Sequence, residues 1–178
     1  SLDLPLPKQI FGHPWLLQGD GKLSKSKGNV IYADELVDMF GVDAVRYFLL
    51  HEMPFDNDGV ITWELMVERI NSDLANTLGN LVNRTLRFKG LEEVPNGNLD
   101  ETIKFEIERT YNEAGELIEK LEFREAIRKI MELVEIGNKF YDEKQPWIAK
   151  KENIEEFNNI IYTCSVVIAN LSNLFAPI

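Results

Sequence analysis

The chain has 178 residues, of which 44% are hydrophobic, and a net charge of −11 at neutral pH. This length suits one good-sized domain, or a small element attached to one, and no apolar run reaches the roughly 18 residues that a membrane-spanning helix needs. The acidic balance argues against a protein that coats nucleic acid, and the single Cys164 excludes an internal disulfide or a cysteine-rich zinc site.

The first predicted element is a pair of short β-compatible runs within residues 6–17, which leads into the segment GKLSKSKGN at residues 21–29. Three lysines and two serines lie within six residues of that segment, and residues 21–33 contain no carboxylate. Lysine ammonium groups on a glycine-flanked loop suit a polyphosphate ligand. A lysine cluster on its own is a weak signal, because most such clusters are solvated surface.

The next part of the chain is predicted to hold a short strand at Val30 and Ile31, followed by helices over residues 34–40 and 43–51. Gly41 separates these two helices. The sequence DNDG at residues 56–59 is a strong turn signal.

The rest of the chain has the apolar period of amphipathic helices. The first such helix begins after Thr62, a plausible N-cap, and carries apolar residues at helical spacing as far as Leu86. Three further helices are predicted over about residues 100–120, 123–141 and 153–175, with Cys164 packed in the core of the last. Four long amphipathic helices joined by loops predict an antiparallel bundle.

Several motifs in this order resemble one enzyme family. Residues 21–29 resemble the Lys-Met-Ser-Lys-Ser loop of class I aminoacyl-tRNA synthetases, with Leu23 in place of the usual methionine. Residues 41–50 (GVDAVRYFLL) resemble the branched-chain and methionine group of that class. The methionyl-tRNA synthetase family in particular is matched by DGV at 58–60, RINSDLANTLGNLVNR at 69–84, NKFY at 138–141 and QPW at 145–147.

The resemblance implies a mainly α fold in three parts. Residues 1–29 would be the tail of a Rossmann-like catalytic domain, residues 30–61 a β-α-α-β connector that touches the tRNA, and residues 62–178 the helical anticodon-binding domain. The chain has no His-Ile-Gly-His-like motif and no recognisable methionine pocket. We therefore expect it to be a C-terminal fragment that is inactive alone, from a cytoplasmic enzyme that joins methionine to its tRNA.

The resemblance also assigns the residues that would contact ATP. It implies catalytic roles for Lys22 and Lys25, and ATP contacts from Lys22, Ser24, Lys25 and Ser26. ATP and magnesium would serve the full-length enzyme together with methionine, and we expect no cofactor bound to this chain. No protein metal site, membrane or DNA partner is expected.

In this family a CAU anticodon is read by residues that correspond here to Asn80, Arg84 and Trp147. Residues four apart share a helix face, amide and guanidinium groups pair with base edges, and an indole stacks on a splayed base. Each residue also has an ordinary structural interpretation. Asn80 could simply be a polar residue on the surface, Arg84 could pair with a nearby carboxylate, and Trp147 could fasten a loop to the bundle.

Two other functions stay open on the sequence. One is another class I synthetase, such as the leucyl or cysteinyl enzyme, against which the set of Asn80, Arg84 and Trp147 counts. The other is a non-catalytic helical module that binds RNA. Binding to CAU compared with other anticodons would separate these alternatives from the first.

Overall fold

A computed structural model describes residues 5–18, 21–22, 31–53 and 57–178. Its small sheet has three strands in the order β2-β1-β3, namely β1 (Leu16–Gln18), β2 (Gly21–Lys22) and β3 (Gly59–Ile61). Strand β1 pairs antiparallel with β2. It pairs in parallel with β3, with Leu17 opposite Val60. The sheet thus joins the segment before the basic loop to the segment after the predicted turn.

Two helices lie between β2 and β3. Helix α1 (Ala33–Phe40) meets α2 (Val42–Glu52) at Gly41. The φ of Gly41 is +83°, a backbone conformation that residues other than glycine rarely adopt. Ile31 lies outside the three strands, contrary to the strand expected there, and packs instead against a core that these helices share with β3 and the next helix. The buried members of this core are Leu36, Val45, Phe48, Ile61 and Met66.

The first long helix is not a regular α-helix. It runs as α3 (Trp63–Arg69), a π-helix (Ile70–Gly79) and α4 (Asn80–Leu86), and we refer to the whole as the 63–86 rod. The predicted N-cap is confirmed, because the Thr62 hydroxyl accepts a hydrogen bond from the Leu65 amide at 3.1 Å. The π-helix contributes no buried residue. The wider turn of a π-helix, with i→i+5 bonding, breaks the 3.6-residue period on which the sequence prediction relied.

The helical bundle is confirmed. It consists of the 63–86 rod with α5 (Glu101–Glu119), α6 (Phe123–Lys144) and α8 (Ile154–Phe175), and a short α7 (Pro146–Glu152) lies between the last two. Asp100 caps α5 and Asn153 caps α8 through their side-chain oxygens. Helix α7 was not predicted, although the break at Pro146 was. Gln145 makes that corner with φ 49° and ψ 63°, a left-handed backbone.

Helix α6 packs at the centre of the bundle, against α5, α8, α4 and the π-helix. Gly137 allows a close approach there, since a Cβ at this position would lie 2.9 Å from Leu81 Cδ2. Cys164 is fully buried, as expected, and burial raises the pKa of its thiol to about 12. Among the helices of the described ranges, none combines the length and hydropathy needed to cross a bilayer.

Candidate nucleic-acid interface

The structure brings Asn80, Arg84 and Trp147 to the end of the bundle where α4, α6 and α7 meet. Asn80 begins α4 and is exposed, and Arg84 lies one turn later with a side chain that is 20% exposed. Trp147 is the second residue of α7 and is 45% exposed. Tyr141 lies between the last two. The Arg84 guanidinium carbon is 4.3 Å from the Tyr141 ring centroid, and the Trp147 ring centroid is 6.1 Å from it.

The Arg84 side chain is held by several partners. Its Nη1 donates to Asp142 Oδ1 at 2.7 Å, and its Nη2 donates to the Asn138 carbonyl at 2.5 Å. The Tyr141 hydroxyl donates to the Arg84 carbonyl at 3.0 Å, and burial raises the pKa of that phenol. We call Arg84, Asn138, Tyr141, Asp142 and Trp147 the Arg84 cluster. This cluster fixes the guanidinium before any ligand arrives.

Carboxylates lie near Arg84 although its own segment of the chain, residues 74–91, contains none. The segments around Asn80, Arg84 and Trp147 lack carboxylates along the chain, but α6 brings carboxylates to them in space. An open groove of about 710 Å³ lies beside α4, lined by Asn76, Thr77, Asn80, Glu135, Asn138, Lys139, Asp142, Glu143 and Gln145. The carboxylate partner considered for Arg84 is therefore present, and it is Asp142. That side chain is 62% exposed, so water and salt screen the ion pair.

Asn138 is a residue of this site to which sequence reasoning gave no role. Its side-chain amide donates to the Thr77 carbonyl at 3.0 Å and to the Val134 carbonyl at 3.2 Å. Within the described residues, its Oδ1 and the Nε of Arg84 are buried without a hydrogen-bond partner. The only signal in the sequence was that Asn138 opens the NKFY motif.

A basic region lies close by on the turn after α4 and on α7. Lys150 Nζ donates to the Lys89 carbonyl at 2.7 Å and lies 5.1 Å and 5.3 Å from the ring centroids of Phe88 and Phe157. Lys150 thereby ties the two elements together. The Lys89 side chain is exposed, which leaves it accessible to a phosphate group.

The side chains expected to bind ATP lie outside what the structure describes. Lys22 belongs to β2, and its side chain is outside what the structure describes. Ser24, Lys25 and Ser26 lie outside the described residues, so their roles stay predictions. Among the described residues, no group of three or more histidine, cysteine, aspartate or glutamate side chains is arranged to hold a metal ion.

Comparison with known families divides the chain in two. Residues 1–86 match a family model described as tRNA synthetases class I (M), and residues 100–178 match one described as the anticodon-binding domain of tRNA ligase. Methionine–tRNA ligase 1 of Bacillus cereus is 50% identical, over 88% of this chain and 25% of that protein. Methionine–tRNA ligase of Halalkalibacterium halodurans is 42% identical, over 99% of this chain and 28% of that protein. The chain thus spans about a quarter of the length of these curated relatives.

Solved structures agree with the sequence relatives. The Mycobacterium tuberculosis methionyl-tRNA synthetase in complex with methionyl-adenylate superposes with a TM-score of 0.90 at 32% identity, and the match covers 98% of this chain and 36% of that one. The free form of the same enzyme superposes with a TM-score of 0.85 at 29% identity, with the same coverage. The likeness therefore extends through the sheet, the two short helices and the bundle.

Proposed function

The chain belongs to the methionyl-tRNA synthetase family, and we propose that it serves a methionine–tRNA ligase as the part that reads the CAU anticodon. The enzyme would join methionine to its tRNA at the expense of ATP, with magnesium, in the cytoplasm. The observation that carries this proposal is the packing of Arg84 and Trp147 on either side of Tyr141, with Asn80 one turn before Arg84 on α4.

Each of the three residues would contribute a different interaction. The exposed face of Trp147 offers a stacking surface, which is worth about 1–3 kcal/mol per base. The Asn80 amide can both donate and accept, and the Arg84 guanidinium donates only, so the pair can distinguish base edges. Arg84 is held by carbonyl, carboxylate and ring contacts, so little side-chain freedom remains to be lost on binding.

We further propose that the basic loop serves the activation of methionine. Lys22 and Lys25 would stabilise the phosphates as charge develops in the transition state, and Ser24 and Ser26 would add hydroxyl contacts to ATP. The catalytic residues come from the family resemblance and the polyphosphate chemistry of lysine. The 178-residue chain alone is expected to show no methionine-dependent pyrophosphate exchange, and exchange above background would contradict that expectation.

The anticodon proposal is tested with RNA hairpins that carry CAU or a single changed base. Trp147→Ala should weaken binding of the CAU hairpin by about 1–3 kcal/mol. Arg84→Ala should also narrow the difference in affinity between the CAU hairpin and the changed hairpins, because it removes hydrogen bonds to base edges. Titration at several salt concentrations measures both effects.

Lys89→Ala is the control, since its carbonyl bond to Lys150 involves the backbone and survives the substitution. If Lys89 contacts a phosphate, Lys89→Ala should weaken the binding of all hairpins alike. It should also reduce the slope of log affinity against log salt concentration by about one. If Trp147→Ala and Arg84→Ala behave in the same way as Lys89→Ala, the surface is a general RNA patch and the anticodon proposal fails. Equal binding of all hairpins by the unmodified chain would favour the non-catalytic module instead.

A further inference from the structure

We propose that Asn138 is a positioning residue for anticodon discrimination, which holds Asn80 and Arg84 in register from the facing helix. The inference rests on the proposed function, because it concerns the same two side chains. It assigns a role to a residue on α6 that need not touch RNA itself.

The Asn138 side-chain amide binds near the end of the π-helix. The Thr77 carbonyl accepts the Asn80 backbone amide, which marks the passage from the π-helix into α4. The same carbonyl accepts Asn138 Nδ2 at 3.0 Å. Asn138 therefore bonds to the same carbonyl that accepts the Asn80 amide, and Asn80 is the first residue of the regular helix α4.

Asn138 also contacts the other end of the same helical turn, at Arg84. The Asn138 main-chain carbonyl accepts Arg84 Nη2 at 2.5 Å. Asn138 of α6 thus contacts both the Thr77 carbonyl, three residues before Asn80, and the side chain of Arg84. A shift of α6 along α4 would break both contacts, so the spacing of the two base-reading groups is fixed against a single external point.

Helices α4 and α6 lie close together at this level. Gly137 precedes Asn138, and a Cβ there would lie 2.9 Å from Leu81 Cδ2. Because α6 approaches α4 this closely, the short asparagine side chain reaches across to the Thr77 carbonyl.

The contacts of the Asn138 side chain depend on its ability to donate hydrogen bonds. Nδ2 donates to two carbonyls, those of Thr77 and Val134. An aspartate has no such donor at neutral pH and would place a carboxylate against both oxygens. The amide is thus required for what it donates.

Substitution of Asn138 tests the role, with Asn170 as the matched control. Asn170 Nδ2 donates to the Val166 carbonyl at 2.8 Å, which repeats the bond from Asn138 to Val134 on another helix. Asn138→Ala should reduce the discrimination between CAU and single-base-changed hairpins by roughly tenfold, a typical loss for a buried hydrogen bond. Binding of the changed hairpins should move less than twofold, and Asn170→Ala should leave the discrimination ratio within about twofold of wild type.

Asn138→Ser keeps the test valid if the alanine variant folds poorly. A serine hydroxyl can bond to the carbonyl four residues back but is too short to reach the neighbouring helix, so discrimination should fall as it does for alanine. Hydrogen exchange without RNA gives a second readout: exchange of the Asn80 amide should accelerate in both Asn138 variants and stay unchanged in Asn170→Ala.

The outcomes separate the two proposals. If wild type discriminates and the Asn138 variants discriminate equally well, Asn138 is not a positioning residue and the anticodon proposal stands. If wild type does not discriminate between hairpins, the anticodon proposal fails and this inference fails with it. If exchange accelerates in Asn170→Ala as much as in the Asn138 variants, the effect is general destabilisation, and the positioning role is refuted.

Discussion

The 63–86 rod carries an arginine cluster at each end, and the two clusters differ in how they treat the carboxylate. At the near end, Arg69 Nε pairs with Glu52 of α2 at 2.5 Å, and His51 Nδ1 lies 2.8 Å from the same oxygen. At the far end, Arg84 pairs with Asp142. The Glu52 side chain is 13% exposed and that of Asp142 is 62% exposed. We call Tyr47, His51, Glu52, Arg69 and Asp73 the junction cluster.

The difference agrees with a structural role for the near end and with the recognition role proposed for the far end. The junction cluster is closed by further bonds, among them one from the Tyr47 hydroxyl to Asp73 at 2.9 Å, and it joins α2 to the rod. Burial is the main cause that raises the pKa of Tyr47, so this phenol stays protonated and donates. The Arg84 cluster holds its arginine through the Asn138 carbonyl and the Tyr141 ring and leaves the Asp142 carboxylate mostly in solvent. An ion pair of that kind can be exchanged for a ligand at small cost.

The largest expected effect is on the junction. Arg69→Met should lower the free energy of unfolding by about 2 kcal/mol, because it leaves the mostly buried Glu52 carboxylate with His51 as its remaining partner. The loss stays below that of a fully buried pair because Arg69 is itself partly exposed. Urea unfolding measures the change. Arg128→Met is the control, because its two ion pairs lie within α6 on an exposed side chain, and it should cost less than about 0.5 kcal/mol. Equal losses in the two variants would remove the distinction between the clusters.

A smaller effect is expected on changing pH. Burial alone would raise the pKa of Glu52, but the hydrogen bonds from Arg69 and His51 outweigh it and hold that pKa below its usual 4.5. The folded state therefore binds the proton less tightly than the unfolded chain does. The stability contributed by Glu52 is complete above the unfolded value and is lost as the pH falls through the lowered folded value.

Unfolding free energies of wild type and Glu52→Gln, measured from pH 7 down to pH 3, check this direction. The wild type should lose its advantage over the variant as the solution becomes acidic. An advantage that grows on acidification would mean that burial dominates the Glu52 pKa.

The smallest effect is expected at the open cluster. Asp142→Asn should change the unfolding free energy by less than about 0.5 kcal/mol, since the carboxylate is mostly in solvent and the Asn138 carbonyl and the Tyr141 ring still hold Arg84. The same urea titration detects it. A loss close to that of Arg69→Met would show that the two clusters are equally structural.

The bundle was predictable because apolar periodicity and capping residues are local signals. Thr62, Asp100 and Asn153 each precede a helix and cap it, and Cys164 lies in the core as its apolar neighbours indicated. The π-helix was not predictable in this way, since the apolar residues in the sequence of residues 70–84 have the spacing of an ordinary α-helix. In the structure the π-helix packs against α6, and its Thr77 carbonyl accepts a hydrogen bond from Asn138.

The site was predictable only as far as the resemblance reached. Motifs indicated Asn80, Arg84 and Trp147, and their geometry agrees with a shared surface. Asp142 and Asn138 were missed as partners because they lie more than fifty residues from Arg84 along the chain. Windows free of acid in the sequence do not report which carboxylates a facing helix will supply.

At the corner between α6 and α7, Gln145 holds a strained backbone conformation that restricts the direction of the chain leading to Trp147. A left-handed backbone at a residue other than glycine costs roughly 1 kcal/mol, yet this residue turns the chain from α6 into α7 two positions before Trp147. A glycine there would relieve the strain and widen the range of angles through which the indole could swing. The chain instead keeps a conformation with few alternatives, so the direction of the Trp147 indole is restricted in the folded protein and the proposed contact with RNA would not have to supply that ordering.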